Sequence, residues 1–84
     1  DNPAPFVARA GLRLLARDDT GAATDIAEAL RRDPTSPFAL ELRALLRMRH
    51  GDVAGAAEDT MTARTTRPRV TLIITEVFGN QILR

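Results

Sequence analysis

The sequence predicts an all-α fold of antiparallel helix–turn–helix units, and three observations carry that prediction. The 84 residues match themselves at an offset of 34. The matched positions include proline, glycine and aspartate, the residues that start, turn and stop helices. The apolar residues between them recur at helical rather than strand spacing.

At that offset Pro3, Arg9, Ala10, Leu12, Arg13, Asp18, Gly21, Ala22, Ala23, Asp25, Ala29 and Pro34 each meet an identical residue, twelve identities in one ungapped register. Asn2-Pro3 and Ser36-Pro37 read as an N-cap followed by proline at the first helical position, where its missing N–H costs nothing. Asp18 and Asp52 precede second helical stretches and are placed to cap them. Pro34 and Pro68 close those stretches. The chain therefore divides into unit one over 3–34, unit two over 37–68 and a tail over 69–84, all within one domain.

The first helix of unit one is expected to bury Phe6, Leu12, Leu14 and Leu15. In its counterpart Phe38, Leu42, Leu45 and Leu46 form a stripe at i, i+4, i+7 and i+8, with Leu40, Ala44 and Met48 beside it. The second helices are lined by Ala22, Ala23, Ile26, Ala29 and Leu30, and by Val53, Ala56, Ala57, Thr60 and Ala63. Small side chains there allow close approach of helix axes. In the tail, Val70 to Thr75 is β-branched and strand-like, whereas Ile74, Phe78 and Ile82 fall at i, i+4 and i+8. A fifth helix over about 71–83 is the preferred reading, because a strand would lack a partner in a helical chain.

A helix–turn–helix unit of this length, with alanine at its twentieth and twenty-seventh positions and proline at its thirty-second, resembles the tetratricopeptide repeat. Gly51-Asp52, Ala56, Ala63 and Pro68 carry the resemblance in unit two, and Ala22, Ile26, Ala29 and Pro34 in unit one. The first helices depart from the pattern: Arg9 and Arg13, then Arg43 and Arg47, stand where the family usually has Leu and Tyr. The resemblance implies a right-handed superhelical stack, with the fifth helix as a cap or as the start of a third unit. It also implies an interaction scaffold in which the first helices line a groove for a partner helix or peptide. In that register Val7, Gly11, Leu14, Glu41, Leu45 and Met48 would face the groove, and the wall is mostly apolar. The tail, with Ile74, Phe78 and Ile82, is expected to dock on another copy or another protein.

Charge and composition narrow the alternatives. Twelve basic against eleven acidic residues give a net charge of +1, so nucleic acid is not an expected partner. Every basic residue is arginine, which with the alanine excess points to G+C-rich coding and a bacterial source. Arg9, Arg13 and Arg17, and then Arg43, Arg47 and His50, form two rows along the first helices. Their bland reading is a solvated face whose stems cover apolar neighbours. Their sharper reading is an anion-binding strip on Arg9, Arg13, Arg43 and Arg47, and hence a regulatory domain for acidic or nucleic-acid partners. No aromatic residue interleaves with them to stack bases.

Cysteine is absent, which removes disulfides and thiolate metal sites. His50, before Gly51, suits a helix C-terminus better than a catalytic base. Asp18-Asp19 and Glu58-Asp59 are expected as caps and first-turn charges, not ion ligands. Gly21-Ala22-Ala23 and Gly55-Ala56-Ala57 are expected as packing contacts. No phosphate loop, dinucleotide fingerprint or nucleophile elbow is present. The expectation is a binding module without enzymatic activity, cofactor or metal, or a non-catalytic domain of a larger enzyme. No apolar run reaches the roughly 18 residues of a membrane span. No signal peptide is visible, but the start at Asp1 without Met is compatible with removal of a leader or of another domain; the compartment is left open, with the cytoplasm favoured.

Overall fold

The computed structural model describes residues 2–66. They form four helices, α1 (Ala4–Leu15), α2 (Asp19–Arg32), α3 (Pro37–Arg49) and α4 (Val53–Thr66), and no strand occurs among the described residues. The chain is all-α over this span. The tail, including residues 70–75 and the expected fifth helix, lies outside the described residues.

Each helix begins where a short polar side chain can serve free amides. Asp18 Oδ1 accepts from Gly21 N at 3.0 Å and Asp52 Oδ1 from Gly55 N at 2.9 Å, so both aspartates cap as expected. Ser36 Oγ accepts from Ala39 N at 3.4 Å, with Pro37 as the first residue of α3. Helix α1 starts one residue later than the sequence implied: Pro3 is the cap residue, and Asn2 Oδ1 takes the Ala4 amide at 3.1 Å.

The two hairpin turns share one geometry. After α1 the Arg17 amide donates to Leu14 O at 3.1 Å and the Asp18 amide to Arg13 O at 2.8 Å. After α3 the Gly51 amide donates to Met48 O at 3.1 Å and the Asp52 amide to Arg47 O at 2.8 Å. This pair of bonds is the Schellman closure, which needs a left-handed residue just past the helix. Gly51 fills that place at φ +85°, and Arg17 fills the same place at φ +65°. The residue that completes each closure is also the cap of the next helix. Gly21 and Gly55 stand under these caps, where an added Cβ would come within 2.2 Å of the Asp18 and Asp52 carboxylates. The two glycines therefore give the caps clearance, while Ala22 and Ala56 beside them are buried packing contacts as expected.

Helix α3 is central, packing against α4, α2 and α1, whereas α2 and α4 do not touch among the described residues. One buried cluster joins Ala10, Leu14, Ala22, Ile26, Leu42 and Leu45, with Val7, Leu30 and Leu46 partly buried against it. Burying Leu14, Ile26 or Leu42 contributes about 1.5–3 kcal/mol each.

The rotation of α1 differs from the expectation. Ala10, Gly11 and Leu14 face inward, while Leu12 is 69 % and Leu15 44 % exposed. Phe38 and Met48 are likewise part-exposed, as are Val53, Ala23 and Ala57 on the second helices. The inward positions of α2 are Ala22, Asp25, Ile26 and Ala29, and those of α4 include Ala56, Asp59 and Ala63. An aspartate thus occupies the middle of each buried helix face. Two arginines of the preceding helix pair with it in each hairpin.

Candidate functional site: two arginine–aspartate locks and three apolar depressions

The most ordered polar chemistry lies inside the hairpins. Arg9 grips Asp25 with two parallel bonds, Nε to Oδ2 at 2.9 Å and Nη2 to Oδ1 at 2.8 Å. One turn along, Arg13 Nη1 donates to Asp25 Oδ2 at 3.0 Å and to Gly21 O at 3.3 Å. Unit two repeats every contact. Arg43 holds Asp59 at 2.9 and 2.7 Å, and Arg47 Nη1 reaches Asp59 Oδ2 at 2.8 Å and Gly55 O at 3.4 Å. Arg13 and Arg47 also lie 3.7 Å from the capping carboxylates of Asp18 and Asp52.

Both aspartate side chains are buried, at 1 % and 4 % exposure, while their arginines keep one edge in water. Hydrogen bonding from Arg9 holds the Asp25 carboxyl below its ordinary range, against the burial that pushes it up. The same contact raises the Arg9 guanidinium, and Asp59 raises that of Arg43. Hence the four arginines expected either as a solvated face or as an anion strip are directed at carboxylates of their own chain. Asp59 is a mid-helix buried anion and not the first-turn charge expected of it. The signal was present in the sequence: Asp25 and Asp59 recur at the repeat spacing on the same face as Ala22, Ile26 and Ala29.

Further ties close the ends. Arg32 lies over the Phe6 ring at 4.6 Å, with Arg9 at 5.9 Å. Glu28 accepts from Arg31 and Arg32, which pull its pKa down to about 2. Between the units, the Arg49 guanidinium bonds the Asp19 carboxylate and donates to Leu14 O at 3.2 Å, and His50 Nε2 lies 3.0 Å from Asp19 Oδ2. His50 follows the last residue of α3, as expected, and its partner is an aspartate of the neighbouring unit.

Three shallow depressions mark the surface. The first, about 360 Å³, lies between α1 and α3 and is lined by Ala4, Val7, Ala8, Gly11, Phe38 and Leu42, with no charged side chain on its wall. The second, about 390 Å³, lies between α3 and α4 and includes Glu41, Leu45, Met48, Val53 and Met61. The third, also about 390 Å³, runs between α2 and α3 past Ile26, Ala27, Leu30 and Leu46. The residues expected on one groove wall are therefore divided. Val7 and Gly11 line the first depression, and Glu41, Leu45 and Met48 the second. Leu14 is fully buried in the core. Ile74, Phe78 and Ile82 lie outside the described residues.

Among the described residues no group of His, Asp and Glu side chains could hold a metal ion, and no helix is long and apolar enough to cross a membrane. Comparisons with protein-family models, with curated proteins and with solved structures find no match to this chain.

Proposed function

We propose that this chain is a protein-interaction scaffold of the tetratricopeptide-repeat type, a right-handed stack of α-hairpins without catalytic activity that receives an amphipathic helix or apolar peptide. The observation that carries this reading is the uncharged depression between α1 and α3, lined by Val7, Gly11 and Leu42 and bordered by Phe38, which is 39 % exposed. An apolar trough between two helices suits the apolar face of a third helix. The donors of Arg9, Arg13, Arg43 and Arg47 are directed at Asp25 and Asp59, so the anion-binding alternative has the weaker support.

Selection from a display library of amphipathic helical peptides tests the proposal. Binders are expected to lose affinity by about tenfold or more, some 1.4 kcal/mol, on Phe38→Glu and by less on Phe38→Ala. Their affinity should change little as salt is raised. Failure to select any binder, or affinity that collapses with salt, would overturn the apolar-groove reading.

A further inference from the structure

The depression between α3 and α4 is the same surface, one unit on, that α3 itself covers in unit one. Ala44, Met48, Ala56 and Thr60 line it. At the repeat offset they correspond to Ala10, Leu14, Ala22 and Ile26. Those four are the unit-one members of the buried cluster, and α3 closes over them with Leu42 and Leu45. Met61 and Arg64, also on the wall, correspond to Ala27 and Leu30, which share the α2–α3 depression with Leu46. Unit one is therefore covered on this face by the segment that follows it in the chain, across a connection of residues 33–36 alone.

The segment that follows unit two has what such a cover needs. Residues 67–84 come directly after α4, and Pro68 recurs at the repeat position of Pro34 in that connection. Residues 69–84 outnumber the 13 with which α3 covers unit one. Helix α3 turns Leu42, Leu45 and Leu46 toward unit one, at i, i+3 and i+4. Ile74, Val77 and Phe78 repeat that spacing. Being part of the same chain, the segment reaches the depression at any dilution, which a second copy or a free partner does not.

We infer that the chain's own segment 67–84 occupies the α3–α4 depression as a helix, with Ile74, Val77 and Phe78 against it. This triplet falls two residues earlier than the offset of 34 would put it. The connection after α4 is then shorter than that after α2, and still within the range of about 2–8 residues usual between packed helices. The depression is thereby an internal contact, and the α1–α3 trough is the surface left to a partner. This placement rests on the hairpin stack of the proposed function and not on its trough, so its failure leaves the Phe38 test standing.

Paramagnetic relaxation enhancement on the full chain is the test. The chain lacks cysteine, so Glu58→Cys, at an exposed position of α4 beside the depression, takes a single nitroxide. In dilute solution the amide signals of residues 74–82 should lose most of their intensity relative to the reduced label. A nitroxide at Leu12→Cys is the control, on α1, which does not touch α4 among the described residues. It should leave those signals intact. A mixture of nitroxide-labelled chain at natural isotope abundance with nitrogen-15 chain free of the label should show no loss. In the Glu58→Cys background, Phe78→Asp should restore the signals fully and the milder Phe78→Ala in part. The amide shifts of α1 and α2 should stay in place in both, which separates release of the segment from unfolding of the hairpins.

Signals of 74–82 that keep their intensity beside the α4 label would overturn the inference. So would equal loss in the mixed sample, which would assign the cover to a second copy. Loss that reaches the same signals from Leu12, or that persists in Phe78→Asp, would also overturn it.

Discussion

Two residues at one repeat position show how backbone conformation divides between permitted and imposed. Arg17 and Gly51 both close a Schellman turn in the left-handed region. For an L-residue that conformation costs about 1–2 kcal/mol, offset in part because arginine has less backbone freedom to lose on folding than glycine. A Cβ at Gly51 would meet nothing within 4 Å, so the cost there is conformational and not steric. Arg17→Gly should therefore stabilise the fold by about 0.5–1 kcal/mol, and Gly51→Arg should destabilise it by a similar amount. Urea denaturation with unchanged m-value measures both. A null result for the pair would mean that the turn relaxes out of the left-handed region.

At the scale of the hairpin, the arginine–aspartate lock does work that apolar packing would otherwise do. The buried faces of α2 and α4 carry two alanines each, with Ile26 added in α2, and the aspartate and its two arginines tie each face to the preceding helix. Removing the carboxylate by Asp25→Ala should cost about 2–3 kcal/mol, less than for a fully buried pair because Arg9 and Arg13 regain water. The lock also sets an acid limit. The Asp25 carboxyl is held below its ordinary value in the folded chain, so its stabilisation is present above that ordinary value and is lost as pH falls toward the folded one. Glu28 adds a second loss over the interval from 4.5 down to about 2. Thermal melts should be flat above about pH 5 and fall below about pH 4. Asp25→Ala and Glu28→Gln should each flatten part of that fall.

The prolines, caps and alanines announced the hairpins because each acts locally, through a missing N–H, a free amide or a small volume. The locks were less visible. Arginine and aspartate in mid-helix ordinarily signal solvent, and only the pairing of two helices shows that these face each other. Leu12 and Leu15 misled for the complementary reason. Their bulk suggests a core, but Ala10, Gly11 and Leu14 are the α1 positions that face inward, and Arg9 and Arg13 pair with Asp25. The expected groove positions are spread out, with Leu14 buried in the core and the others on two separate depressions.

Among the described residues one buried cluster spans both hairpins. Leu42 of unit two shares it with Leu14 and Ile26 of unit one, and all three are essentially inaccessible to water. The units should therefore unfold together. Leu42→Ala is expected to cost about 2–5 kcal/mol and to lower amide-exchange protection in α2 and α3 alike. Loss of protection confined to α3 and α4 would show instead that each hairpin is its own cooperative unit.

The identity of the two locks has a consequence for how the chain finds its pairing. A guanidinium pair from α1 fits the carboxylate of α4 as well as that of α2, because the contacts agree to within about a tenth or two of an ångström. Nothing in the lock distinguishes kin from stranger. The discrimination comes from the tether: a three-residue turn keeps the correct partner at high effective concentration and leaves the wrong one out of reach. Lengthening either turn would loosen that leash, and helices of neighbouring molecules could then exchange.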